Sequence, residues 1–427
     1  MRTIVDLHIH SKYSRACSKD LNPWNIASAC AKKGIDLVAT GDFTHPEWFK
    51  LLKENLEESG NGVFKLNFNG VDALHVTARA GALKTRFILG TELSCIYKHK
   101  EKVRRVHHLV LAPSFEAVEK LNAQLVSRGC NIHSDGRPII GLHSKDLLQV
   151  LLEIDPRFEL IPAHAWTPWF AIFGSKSGYD SIGECFDEFA PHIHAIETGL
   201  SSNPKMNRRL SALDNIFLVS NSDAHSLDKL GREANVFDFE RADYDELLGV
   251  LRSRGVNKFL YTIEFFPEEG KYHYDGHASC DISFTPTQSK RNKLVCPKCK
   301  RPLTLGVLHR IDNLAQNMYP QVSSISNGCS ADVPFKSIVP LSEIISNVLE
   351  VGVASKKVKK IYQEMIDAFQ SEFNILLDVP HEDLVRVCKK LGVPRLAVGV
   401  ERVRDGHIFV EPGYDGIFGK VSVFKEN

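Results

Sequence analysis

Asp6-Leu7-His8-Ile9-His10 sets two imidazoles two positions apart in an apolar run close to the first residue. On a strand His8 and His10 point to the same face, and two neutral imidazoles side by side can both bind one metal ion. Later stretches offer groups of the same kind. Glu92 stands in Gly90-Thr91-Glu92 after Arg-Phe-Ile-Leu, where a carboxylate at a strand end can bridge two ions. His107 and His108 lie in another apolar run. Alternation gives only one of them to the inner face, and His107 is favoured, with His108 structural or exposed. His164 follows Glu-Leu-Ile in Pro162-Ala163-His164, and Asp223 and His225 are again two apart after Ile-Phe-Leu-Val-Ser. Any one of these alone is equally a surface or core residue. Together they put His or acidic side chains after five separate strand-like runs, which is the pattern of a metal centre gathered at one rim. Imidazole with carboxylate suits Zn, Mn or Fe better than Ca. Paired ions about 3.5–4 Å apart activate water and clamp the attacking and leaving oxygens of a phosphoryl group. No serine-nucleophile motif and no phosphate-binding glycine loop competes, so phosphate-ester hydrolysis is the expected reaction class.

A second constellation lies further on. His277 and Cys280 are followed, about fifteen residues later, by Cys296 and Cys299, which is zinc-ribbon or knuckle spacing. His273 is an alternative to His277. In so polar a stretch a zinc ion would act as a structural cross-link. Lys290, Arg291, Lys293, Lys298, Lys300 and Arg301 give it a basic rim suited to phosphate backbones or to plain solvation.

The elements that must position these groups follow a β/α rhythm. Strand-like runs at 4–10, 35–42, 86–94, 106–113, 159–166, 194–200 and 216–225 are interleaved with helical segments. The first of these helices has Asn22 as N-cap, Pro23 in its first turn and Gly34 after it. The rhythm predicts an α/β fold with a largely parallel sheet or barrel and catalytic groups at the C-terminal strand ends. It stops near Phe265-Phe266-Pro267. A turn-rich segment holds the Cys/His cluster, and beyond Asp312 helical spacing dominates in 341–352, 356–373 and 381–392, before turns and short strands at 407–424. The expected boundaries are 1–268, 269–312 and 313–427. Among 427 residues, 43% are hydrophobic and 25% charged, and the net charge is +1. That excludes a disordered or fibrous chain, and any nucleic-acid partner must be met by local basic groups. No run approaches the roughly 18 apolar residues of a membrane helix. No signal-peptide pattern opens the sequence, so a cytoplasmic, nucleoid-associated protein with no membrane partner and reduced cysteines is expected.

The motifs DLHIHSKYS, GTELS, PAHAW and SNSDAH together resemble the PHP (polymerase and histidinol phosphatase) superfamily over about residues 1–265. The resemblance implies a distorted β/α barrel with two or three divalent ions, Zn, Mn or Mg. One ion would take His8, His10, Glu92 and Asp223, and a second Glu92, His107 and His164, with Asp223 and His225 in catalytic roles. The third site departs from the family pattern, because Phe43 follows Asp42 and Cys17 stands where a His or Asp is usual. His225 with Asp42 or His45, helped by Cys17 or Asp20, is what remains for it.

The stretches PAHAWTPWFAIFGSKSGYDSIGECF, ETGLSSNPKMNRRLSALDN, GKYHYDGHASC and VEPGYDGIFGKV extend the resemblance to the endonuclease Q family across nearly the whole chain. That implies a PHP domain, a zinc-binding domain and a helical C-terminal domain. It also implies nicking of DNA 5′ to deoxyuridine, deoxyinosine or an abasic site, with the damaged nucleotide turned out of the stack. Trp166, Trp169 and Phe170 would then meet a base, Ser201, Ser202, Asn203, Arg208 and Arg209 the backbone or base, and Lys356, Lys357, Lys359 and Lys360 the phosphates. A sliding clamp is a further candidate partner. The competing readings are a small-molecule phosphomonoesterase of the histidinol-phosphate type and a non-catalytic DNA-binding module.

Overall fold

The computed structural model describes residues 1–67, 84–253, 258–318 and 334–425. The strands up to the end of the β/α rhythm are β1 (Arg2–Asp6), β2 (Leu37–Ala39), β3 (Leu56–Gly60), β4 (Val63–Leu66), β5 (Arg86–His99), β6 (Lys102–Ala112), β7 (Ile139–Ile140), β8 (Glu159–Pro162), β9 (Ala195–Glu197), β10 (Phe217–Val219), β11 (Ala234–Asp238) and β12 (Phe259–Glu264). After them come β13 (Asp275–His277), β14 (Ile282–Phe284), β15 (Phe335–Ser337), β16 (Phe409–Glu411) and β17 (Lys420–Ser422). An 11-stranded sheet runs β15-β12-β11-β1-β2-β5-β4-β3, with β6 and β7 also on β5 and β8 on β6. The separate parallel pair β9–β10 is tied in from both sides. Ala165 N donates to Glu197 O at 2.9 Å, and the Asn235 side chain accepts from Ser220 N at 2.9 Å and donates to Ser220 O at 2.8 Å.

The sheet is mixed and not largely parallel, which corrects the expectation from the β/α rhythm. β1–β2 and β2–β5 are parallel, whereas β1–β11, β5–β6 and β6–β8 are antiparallel. The cause is visible between β5 and β6. β5 continues past the glutamate motif to His99 and turns back at once through Lys100 and Glu101, whose φ values of 47° and 62° are those of a two-residue hairpin turn. Neither residue is the Gly or Asn that normally marks such a turn.

The helix Pro23–Lys33 forms as its caps require. The Asn22 side chain accepts from Asn25 N, and Gly34 closes the helix at φ 89°. Beyond β15 the chain is helical in Leu341–Leu349, Lys356–Phe369, Glu372–Leu377, His381–Lys390 and Arg395–Arg404. The break at Gln370, with φ 73°, divides what periodicity reads as one helix. This helical part is knit to the sheet by the parallel pairing of β15 on β12. It also shares a buried ion pair with the helix Pro23–Lys33: Lys33 Nζ lies 2.7 Å from Glu372 Oε2. Leu341 N (3.0 Å) and the Tyr362 hydroxyl (2.7 Å) donate to the same carboxylate, so its buried charge is paired and hydrogen-bonded. Among the described residues no helix is long and apolar enough to cross a membrane.

Glu264, at the end of β12, is fully buried. Burial pushes its carboxyl from 4.5 up to about 8, and burial likewise raises the neighbouring Glu233. The folded state therefore keeps a proton on Glu264 that the unfolded chain gives up, and stability falls as pH rises between those two values. Glu264→Gln should flatten that decline. Urea unfolding should show a gain on the order of a few kcal/mol at about pH 9 that is absent near pH 5, and an equal effect at both pH values would refute the neutral carboxyl.

Candidate active site

His8 and His10 leave the end of β1, which is fixed by Asp6. The Asp6 carboxylate accepts from Ser222 N and Gly231 N, both at 3.1 Å, and so clamps the first strand to the loops that carry Asp223. β5 supplies Glu92, β6 supplies His107, the turn after β8 supplies His164, and the turn after β10 supplies Asp223. His8, His10, Glu92 and Asp223 offer ligand atoms all within 4.8 Å of one another, and so do Glu92, His107 and His164. Glu92 belongs to both groups. Its Oε2 lies 3.3 Å from His10 Nε2 and 3.7 Å from His8 Nε2. Its Oε1 lies 2.7 Å from His107 Nδ1 and 3.0 Å from His164 Nε2. His108, on the other face of β6, is buried with Nε2 2.7 Å from the Ser144 hydroxyl.

The donor set fits divalent cations. His8 Nε2 is buried without a hydrogen bond, 3.7 Å from Asp223 Oδ1, while its Nδ1 is held 3.0 Å from both Glu197 oxygens. One nitrogen fixed by a carboxylate and the other bare toward further carboxylates is the disposition of a metal-ligating histidine. Burial opposes charge on His8 and His10, yet the surrounding carboxylates raise both: the cluster draws positive charge. Burial works against ionisation of Glu92 as well, but His107, Arg137 and His8 hold its carboxyl well below the usual range. Burial lowers His107 to about 4, which leaves it neutral and able to ligate. Asp42, His164 and Asp223 have φ values of 50°, 29° and 46°. Asp and His enter this left-handed region more readily than most non-glycine residues, and it turns these side chains at the strand ends.

The expected third site is not gathered. Asp42 stands behind His10, 3.1 Å from its Nδ1, and accepts from Ser11 N (2.7 Å), Ser11 Oγ (2.6 Å) and Ser14 Oγ (2.9 Å). It orients His10 and has few lone pairs left for an ion. His45 stacks on Tyr13 at 4.4 Å. His225 lies 4.5 Å from His10, ring to ring, with Nδ1 donating to Asp223 O at 2.9 Å. Burial pushes the Cys17 thiol up to about 12, so it stays protonated, and Asp20 is exposed beside Ser18. Among the described residues these form no ligand group.

The expected substrate contacts divide. Trp166 is buried, donating to Asn207 Oδ1 at 2.7 Å and packing on Phe173. Ser202 is buried, bonded to Thr198 O, and Arg208 donates to the carbonyls of Leu213 and Ile216. Asn203 caps the helix Pro204–Asn207, and Arg209 pairs with Asp312. Trp166 and Ser202 are thus internal supports and not open to a DNA strand, whereas Asn203 and Arg208 are half-buried and Arg209 is exposed. Ser201 is half-buried, Trp169 is exposed, and Phe170 packs on His107 at 4.7 Å. Lys356, Lys357, Lys359 and Lys360 are exposed on one helix. His277, Cys280, Cys296 and Cys299 come together as a ligand group, whereas His273 is buried apart from it.

Two site residues escaped the sequence reading. Glu197 also accepts from His164 N (2.7 Å) and Asn221 Nδ2 (2.8 Å). Its place at the end of a strand-like run was a usable signal. Arg137 donates to Glu92 Oε2 at 3.0 Å from a loop with no periodicity to betray it.

The fold and much of the sequence match solved structures. The chain is 30% identical, with a TM-score of 0.81, to endonuclease Q in complex with a 27-mer duplex substrate bearing an abasic lesion at the active site, covering 99% of this chain and 96% of that one. The chain belongs to the endonuclease Q family. A structure of the lesion-specific endonuclease PfuEndoQ from Pyrococcus furiosus matches at 29% identity and TM-score 0.82 over 99% of this chain and 95% of that one. Within the chain, residues 206–256 match the PHP-associated family and residues 340–407 the MJ0043 C-terminal domain family. The uncharacterized protein YqxK of Bacillus subtilis is 28% identical over 93% of this chain and 91% of its own length. The uncharacterized protein MJ0043 of Methanocaldococcus jannaschii is 28% identical over 61% of this chain, a match spanning 31% of that relative.

Proposed function

We propose that this chain is a metal-dependent DNA repair endonuclease that hydrolyses the phosphodiester 5′ to abasic and deaminated nucleotides. The observation that carries this is the sharing of Glu92 by two ligand groups with His8 Nε2 bare between carboxylates. The likeness to an endonuclease Q bound to an abasic duplex supplies the substrate class. We read the strands around the site, with β9–β10 tied in by loop and side-chain bonds, as a distorted barrel within residues 1–268. Residues 269–312 form a zinc-held element, with His277, Cys280, Cys296 and Cys299 as ligands. Residues 313–427 form a helical part that uses Lys356 and Lys357 on DNA phosphates.

Divalent ions bound at the two groups would supply Lewis-acid polarisation of the phosphodiester and a nucleophile at neutral pH. The chain's own groups do the rest. Glu197 and Asp42 fix the rings of His8 and His10. Arg137 offers donors for a non-bridging phosphate oxygen beside Glu92. His225 donates through Nδ1, so its acceptor lone pair is on Nε2, placed to hold or move a proton. Trp169 and Phe170 border the place for an extruded nucleotide. Glu197→Gln should keep the shape of the site but loosen His8, and weaken manganese binding in a titration by about 10–100-fold; unchanged affinity would make Glu197 a bystander.

The test of the function is an end-labelled duplex with a single abasic site, deoxyuridine or deoxyinosine, incubated with manganese or with chelator. Cleavage on the 5′ side of the damaged nucleotide that chelator abolishes is expected. Chelator-resistant cleavage, or turnover of a free phosphomonoester alone, would contradict the proposal.

A further inference from the structure

Near the site, aromatic side chains from three separate elements reach the surface, Trp169 and Phe418 exposed and Tyr272 half-buried. Trp169, in the turn after His164, is 37% exposed. It meets Tyr272 edge to face at 5.6 Å. Lys271, the preceding residue, places its ammonium 5.0 Å from the ring of Phe418, which is 67% exposed with Ile417 beside it at 42%. On the inner side Phe170 lies 4.7 Å from His107, and Arg105 stands over Phe170 at 5.9 Å. Phe170 and Trp169, adjacent in the chain, and then Tyr272 with Lys271 thus lead from His107 of the ligand group toward the tip of the β16–β17 hairpin.

The tip is built to be rigid and not to fold its apolar residues away. Gly413 N donates to Glu268 O at 2.8 Å, Gly416 N to Lys271 O at 2.9 Å and Gly419 N to Glu269 O at 3.1 Å. The Tyr414 hydroxyl donates to Asp281 at 2.7 Å. A Cβ at position 419 would stand 2.1 Å from Glu268 O, so glycine alone permits that strap. Large apolar side chains held in water by a fixed scaffold mark a binding surface. The flanking Lys271 and Lys420, and the continuity with a site that acts on a phosphodiester, favour DNA over protein. Aromatic faces stack on any base, and a rigid apolar wedge can hold a base step apart.

We propose that Trp169, Tyr272 and Phe418 form a wedge that stacks against the paired bases beside the damaged nucleotide and holds the opened duplex. The proposal rests on the nuclease reading above. It is tested by Phe418→Ala, a change at an exposed position, on the same abasic lesion in a fully paired duplex and in a pre-opened bubble. Loss of one base stack should lower kcat/KM on the paired duplex by about tenfold, with less than a twofold change on the bubble, and Phe418→Trp should restore the paired-duplex rate. Equal loss on both substrates, or no loss on either, would overturn the wedge, the latter leaving the ridge to a protein partner. A wild-type enzyme that cuts neither substrate would instead overturn the nuclease reading itself.

Discussion

Glu92→Gln will abolish strand cleavage while leaving the fold intact. Glu92 is buried and contributes to both ligand groups, so one substitution acts on both. The amide keeps the volume but loses the charge that His107, Arg137 and His8 hold in place. It also turns a donor toward imidazole nitrogens or toward the Arg137 guanidinium, which already donates to Oε2 at 3.0 Å. Removing a single charge-stabilising donor in a preorganised site costs on the order of 100–1,000-fold in rate, and removing a shared ligand should cost at least that much. Single-turnover cleavage of an abasic duplex, together with circular dichroism and a DNA-binding curve, separates loss of chemistry from loss of fold. Cleavage within tenfold of wild type would mean that Glu92 does not organise the site.

The second large effect is expected at Cys296. Between Gly270 and Gly306 the buried apolar side chains among the described residues are Pro286, Cys296 and Leu303, too few for a core. The hairpin β13–β14 and the following turn are instead drawn together at His277, Cys280, Cys296 and Cys299, with Cys299 Sγ 3.8 Å from His277 Nδ1. Structural zinc in sites of this kind stabilises by about 10–16 kcal/mol in small peptides. Cys296→Ser should therefore remove one equivalent of tightly held zinc and speed amide exchange across 273–306, with the sheet carrying Glu92 still protected. Retained stoichiometric zinc, or unchanged exchange, would show that another interaction holds this segment.

The site was more legible than the sheet. Paired histidines two apart, and acids or histidines at run ends, needed only strand periodicity, and that same periodicity assigned His107 and His108 to opposite faces. The structure places His107 2.7 Å from Glu92 and points His108 at Ser144. Less could be read wherever a tertiary contact sets the outcome. The β5–β6 hairpin turns on Lys100 and Glu101, which carry no turn signature. Asp42 reads as a ligand by position, but two serines and His10 claim its oxygens. Trp166 and Trp169 are near neighbours with the same composition around them, yet one is core and the other open to solvent. The helix Arg395–Arg404 lies in the part expected to be mostly helical but was not among the segments singled out; its Gly399 admits Ile344, whose Cγ2 would lie 2.9 Å from a Cβ there.

Crystals grown with manganese, with diffraction measured at its absorption edge, address the proposed dinuclear centre itself. Two anomalous peaks about 3.5–4 Å apart on either side of the Glu92 carboxylate are expected, one among His8, His10 and Asp223 and the other between His107 and His164. A site with no peak beside Glu92, in crystals of protein that still cuts abasic DNA, would contradict it.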